Sequence, residues 1–175
     1  MIIIKIVPML TEPKIEKRKE QPYVAIRSKV AMNEIPKRLP PHIHEVFDWL
    51  NKHHIKPSGA PFFHYRSMGN DGQLVVEVGV PVQEPISGDD RVNAGVFMAG
   101  NYVVVTHTGP YNGLYGAHMQ LEEWLKSKGV VEKAIKTKEG PVWGSRTEFY
   151  PTDPVMEPNP AKWQTEIAVL VVEEE

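Results

Sequence analysis

Glu166 is the residue whose setting most needs a chemical reason. It lies in the middle of a β-forming run, Trp163-Gln164-Thr165-Glu166-Ile167-Ala168-Val169-Leu170-Val171-Val172. Strand side chains alternate, so Thr165, Ile167, Val169 and Val171 share one face while Glu166, Ala168 and Leu170 share the other. The first set reads as packed beneath a helix. On the second, a carboxylate beside the small Ala168 describes a concave surface with room for a guest. Taking a lone carboxylate out of water is costly, so Glu166 must be paired, solvated or facing a ligand. A wetted glutamate on one side of an antiparallel sheet is the plain alternative.

Rings around a carboxylate suit an organic cation, because ring quadrupole and anion act on the same positive charge. This reading sets Tyr150, Trp143, Tyr65, Tyr23 and Tyr102 around Glu166, though each ring alone serves equally well as strand packing. Glu77 is a second acidic candidate; Arg27 or Arg66 would pair it if it is structural. The histidines do not assemble a metal site. His42 and His44 would diverge by about 200° on a helix, His53 and His54 diverge as well, and there is no cysteine. No metal or other cofactor is expected. His107 reads as a capping or core histidine, with acid-base assistance as the alternative. There is no Gly-x-Ser-x-Gly elbow, phosphate-binding glycine loop or nucleotide fingerprint. Catalysis stays open by one route, with Glu166 as general base on water and the rings holding an apolar electrophile.

These residues need a scaffold, and the chain of 175 residues is long enough for one domain or two fused half-domains. With 41% hydrophobic and 24% charged residues it is an ordinary globular composition. A net charge of −2 gives no basic footprint, so direct nucleic-acid binding is not expected. The apolar stretch 1–7 is too short for a secretory signal or a membrane span. It reads as an opening strand, and cytoplasmic residence follows.

The pattern along the chain predicts an α+β fold. Lys14 to Arg18 and Tyr23 to Val30 read as a hairpin with a charged edge, and Pro40-Pro41 opens a helix carrying Ile43, Val46, Phe47 and Leu50. Strands at 62–66 and 73–82 follow, joined by Gly69-Asn70-Asp71-Gly72. After a connector at 83–95 the order returns. Val96-Phe97-Met98 turns at Gly100-Asn101 into a strand at 102–107. A helix with Leu114, Ala117, His118, Leu121 and Leu125 stops at Gly129, and two strands complete the half. Tyr23-Val24 answers Tyr102-Val103, Trp49-Leu50 answers Trp124-Leu125, Tyr65 answers Tyr150, and Glu77 answers Glu166. We read a single domain over 1–175 made of half-repeats at about 2–82 and 96–173. Two strand-helix-strand-strand modules related by a pseudo-twofold would form antiparallel sheets, with helices on one face and a cleft on the other.

Tyr102-Val103-Val104-Val105-Thr106-His107-Thr108-Gly109-Pro110-Tyr111, Glu148-Phe149-Tyr150-Pro151-Thr152-Asp153-Pro154 and Thr165-Glu166-Ile167 closely resemble the GyrI-like effector-binding domain family. Pro61-Phe62-Phe63-His64-Tyr65 and Glu77-Val78-Gly79-Val80-Pro81-Val82 are similar to its motifs in the first half, so the resemblance spans about 2–173. It implies a pseudo-symmetric domain with a central ligand cleft, as in multidrug-responsive and AraC-type transcription regulators. In the family the acid of the Thr-Glu-Ile-like motif faces lipophilic, often cationic guests, a role Glu166 would inherit, with Tyr150 lining the pocket. Some stand-alone members resemble antagonists that bind DNA gyrase, and others hydrolyse cyclopropane-containing natural products. No helix-turn-helix precedes residue 2, so control of transcription would need a partner protein. The expected role is stand-alone binding of a small lipophilic or cationic molecule, with a hydrolase or a gyrase-directed interaction protein as alternatives.

Overall fold

The computed structural model describes residues 9–173, so the expected opening strand at 1–7 lies outside the described residues. The elements are β1 (Lys14–Arg18), β2 (Gln21–Ala31), α1 (Ile35–Arg38), α2 (Pro40–Lys52), β3 (Phe62–Met68), β4 (Gln73–Pro81), β5 (Asn93–Phe97), β6 (Gly100–Thr108), α3 (Leu114–Lys128), β7 (Ala134–Thr137), β8 (Gly140–Phe149) and β9 (Gln164–Leu170). One antiparallel sheet runs β1-β6-β9-β8-β3-β4-β2-β5, with β7 added to β8. The two strand-helix-strand-strand units meet where β3 pairs with β8, with Phe63 opposite Glu148.

The leading strand of each unit does not fold back on its own successor. β1 pairs with β6, and β5 pairs with β2, so the two local hairpins expected from sequence are replaced by an exchange of edge strands. The linkers Lys19-Glu20 and Met98-Ala99 lack the Asn-Gly or Gly chemistry that a two-residue hairpin turn needs. β1 and β2 stand near opposite ends of the strand order, yet only Lys19 and Glu20 separate them. Three Cα steps reach about 11 Å at most. The sheet must therefore curl until its two edges approach.

Helical periodicity decides which face is covered. Val46 and Leu50 of α2 bury against Val24, Ile26, Val80 and Val82. Leu114, Ala117, Leu121 and Leu125 of α3 bury against Val103, Val105, Ile167, Val169 and Val171. α3 ends at Gly129, whose left-handed φ of 65° turns its N–H back onto the Leu125 and Lys126 carbonyls. The helices thus cover the flanks of the sheet and leave the central strands β3 and β8 between them. The concave face is lined by Tyr23, Ala25, Phe62 and Phe97 in one half and by Tyr102, Val104, Ala168 and Leu170 in the other, with Phe149 packing against both groups.

Close approach on the concave face requires Gly79. A Cβ there would collide with the Val24 carbonyl oxygen and sit 2.8 Å from the Phe62 ring and 2.7 Å from the Ala25 methyl. Gly79→Ala should lower stability by about 1–3 kcal/mol through backbone displacement. Urea unfolding should show a reduced midpoint at unchanged slope.

Candidate functional site

The central strands carry a carboxylate that the sequence reading did not single out. Glu148 on β8 is only 4% exposed. Its Oε2 accepts from the Tyr150 hydroxyl at 2.9 Å, and Oε1 lies 3.1 Å from His118 Nε2 on α3. Burial pushes this carboxyl up, but the contacts from His118, Tyr65 and Tyr150 outweigh it and hold it below the ordinary glutamate range. Burial and the neighbouring carboxylate push the Tyr65 and Tyr150 hydroxyls far up, so both stay protonated as donors. Among the described residues no lysine or arginine pairs with Glu148; the single basic contact is His118.

Rings surround this acid. Phe63 meets Tyr150 edge-on at 5.0 Å, and Tyr65 meets His118 edge-on at 6.3 Å. Tyr111 lies 5.7 Å from Tyr150 and 4.8 Å from Trp163, which anchors the 151–162 loop by donating to the Glu157 carbonyl at 2.7 Å. Tyr65, Tyr150 and Trp143 are half-buried and pack against the cluster of Phe63, Val76 and Val78. Trp143 also stacks under the Arg146 guanidinium at 4.9 Å, which Glu132 and Glu122 hold in place. The result is an acidic floor with aromatic walls between α2 and α3.

The other candidates lie on the opposite, concave face. A cavity of 470 Å³ there is lined by Phe97, Tyr102, Ser145, Thr147, Phe149 and Glu166 among others. Glu166 is not free in it. Arg18, arriving from β1, donates to Glu166 at 2.8 Å and to Glu16 at 2.9 Å, and lies 5.7 Å from the Tyr102 ring centre. Tyr102 donates instead to the Met98 carbonyl at 2.7 Å. Ala168 is buried beside Tyr102. Glu77, 5% exposed, is saturated: Tyr23 donates at 2.7 Å, and His64, Arg27 and Arg66 approach within 3.3, 3.5 and 3.6 Å.

The sequence-predicted site therefore divides between two faces. Glu166 and Tyr102 line the concave cavity with Ala168 buried on the same face, Tyr23 and Glu77 close a separate network in the first half, and Tyr65, Tyr150 and Trp143 stand on the helix side. Strand alternation is the reason: Glu148 and Tyr150 are two apart and share a face, whereas Phe149 between them is paired opposite Glu166. The Glu148-x-Tyr150 spacing was the available signal for the missed acid. A bulge between Tyr65 and Ser67, opposite the 142–146 segment, is what made these faces hard to assign.

Glu77 gives a pH test. Against the pull of burial, His64 and Tyr23 lower its pKa from 4.5 to about 2. A depressed carboxyl contributes stability that is complete above the unfolded value and lost as pH falls through the folded one. Acid unfolding should show wild type losing stability more steeply than Glu77→Gln between pH 4.5 and about 2, with the variant less stable at pH 7.

Comparison with known proteins supplies the context. No curated protein matches the sequence. EcmrR in its DNA complex superposes with a TM-score of 0.73 at 20% identity over 97% of this chain and 60% of that one, so the chain spans about three fifths of EcmrR. The EcmrR C-terminal domain alone gives 0.64 at 19% identity, covering 93% of this chain and 98% of that domain. SAV2435 bound to tetraphenylphosphonium gives 0.62 at 11% identity, covering 93% and 94%. At these identities the likeness speaks for the fold. The family model of the GyrI-like small molecule binding domain matches residues 11–172. From that match over nearly its whole length, the chain belongs to the GyrI-like family of small-molecule-binding domains.

Proposed function

We propose that this domain binds a lipophilic organic cation in the groove between α2 and α3, with Glu148 as its counter-ion and Tyr65, Tyr150 and Trp143 as ring walls. The observation that carries the reading is a buried carboxylate with neutral hydroxyl donors and no arginine or lysine partner among the described residues. A cation about 4 Å from such a carboxylate gains roughly 4 kcal/mol at an effective dielectric near 20. Ring faces add about 0.5–2 kcal/mol each. Against this stands the His118 contact, worth about 1.5–3 kcal/mol. At Glu166 the balance differs, because a guest cation would have to displace Arg18 and would recover only the Coulomb energy it broke. SAV2435, which shares the fold, is bound to tetraphenylphosphonium, and that supports the same class of guest here. The groove as seen is closed around Glu148, so a guest must part Tyr65, Tyr150 and His118 on entry. Such a guest would act as an effector, and any DNA contacts would be made outside this domain.

Thermal unfolding with tetraphenylphosphonium tests this. At a hundredfold excess over Kd the wild type should gain about 2.7 kcal/mol. Glu148→Gln should lose that gain while Glu166→Gln keeps it. The reverse pattern would move the site to the concave cavity, and no stabilisation of wild type would end the cationic reading.

A further inference from the structure

The partner of Glu148 differs in kind from those of the other paired acids. Among the described residues Glu166 and Glu16 share Arg18, Glu77 has Arg27 and Arg66, Glu45 has Arg91, and Glu122 and Glu132 share Arg146. Each of those guanidiniums stays charged across the working pH range. Glu148 alone has only an imidazole, delivered by α3 from the groove wall rather than by the sheet that forms the floor. The His118 side chain is 18% exposed against 6% for Glu148, so it lies on the solvent side of the acid. Tyr65, which meets it edge-on at 6.3 Å, belongs to the same wall.

We propose that His118 is the specificity-determining residue of the groove: it occupies the place of the guest's positive charge, and a permanent cation enters by displacing it. This rests on the Glu148 reading above. When protonated, the imidazole is a cation already seated on the carboxylate, and a guest must drive it out with release of its proton to solvent. When neutral, it surrenders only a hydrogen bond. Tyr150 already occupies one Glu148 oxygen and His118 the other, so the protonated imidazole and the guest compete for the same place. The groups around His118 fit this competition. β8 contributes Glu148, Tyr150 follows the end of that strand, and Arg146 of β8 is neutralised by Glu122 and Glu132. β3 contributes Tyr65, and the turn before α3 contributes Tyr111. His107 on β6 is 2% exposed and is kept in its neutral form by burial, with its Nδ1 unpartnered. The guest selected is one that keeps its positive charge across this pH range, such as a phosphonium or quaternary ammonium. A neutral aromatic gains nothing from the exchange.

The test is the affinity for tetraphenylphosphonium between pH 5 and 8, by calorimetry in buffers of different ionisation heat, for wild type and His118→Asn. Wild-type affinity should rise with pH, by at most about tenfold per pH unit, for as long as the imidazole is protonated, and level off once it is neutral. Proton release should be measurable on the rising limb. His118→Asn, whose amide still donates to Glu148, should bind more tightly at pH 5 and show a flat profile. His118→Gln should behave alike if Asn impairs folding. A flat wild-type profile, or the same slope in both variants, overturns this inference and leaves the Glu148 site standing. Absence of binding at every pH overturns both.

Discussion

A carboxylate leaves water only when something replaces its hydration, and at Glu148 the replacement consists of the Tyr150 hydroxyl, the nearby Tyr65 hydroxyl and an imidazole from α3. None of these donors is a permanent cation. The charge is held in place by hydrogen bonds, yet its field is not cancelled, which separates it from the arginine-paired acids elsewhere in the molecule. Such an arrangement costs stability unless a guest makes use of it. On the proposed reading, the aromatic residues beside Glu148 serve as walls for a cationic guest.

The fold makes this site available through its connectivity. Because β1 and β5 are exchanged between units, neither half can close its own sheet, and the curl that brings the edges together places β3 and β8 at the centre. The helices are occupied in covering the flanks, where Val, Ile and Leu pack beneath α2 and α3. What remains between them sits on the pseudo-twofold: Phe63 opposite Glu148, with Tyr65 and Tyr150 two residues further along each strand. Duplication thus yields two equivalent tyrosines around one acid, since the position equivalent to Glu148 in the first unit is Phe63. The exchange also sets the fate of Glu166, for the strand that pairs with β6 brings Arg18 onto it.

Much of the architecture was legible in the sequence because local signals and tertiary needs agree. The helix from Pro40, the hairpin turn at Gly69-Asn70-Asp71-Gly72, the stop at Gly129 and the helix-facing set Thr165, Ile167, Val169 and Val171 all follow from periodicity and turn chemistry. The exchanged edge strands were not legible, since short linkers look the same whether the chain turns back or crosses to the other edge. The site was half legible. Tyr65, Tyr150 and Trp143 were read as rings around Glu166, but strand alternation sets them on the face of Glu148 instead. A bulge in β3 broke the regular count there, and pairing between distant strands, which sequence spacing does not reveal, decided the face.

Crystals grown with tetraphenylarsonium, whose arsenic scatters anomalously, would locate the guest's charge directly. The account predicts an arsenic peak between α2 and α3, within about 6 Å of the Tyr65 or Tyr150 ring and next to the Glu148 carboxylate, with the His118 side chain swung away. An arsenic peak in the cavity beside Arg18 and Glu166, with the His118 to Glu148 contact intact, would contradict it.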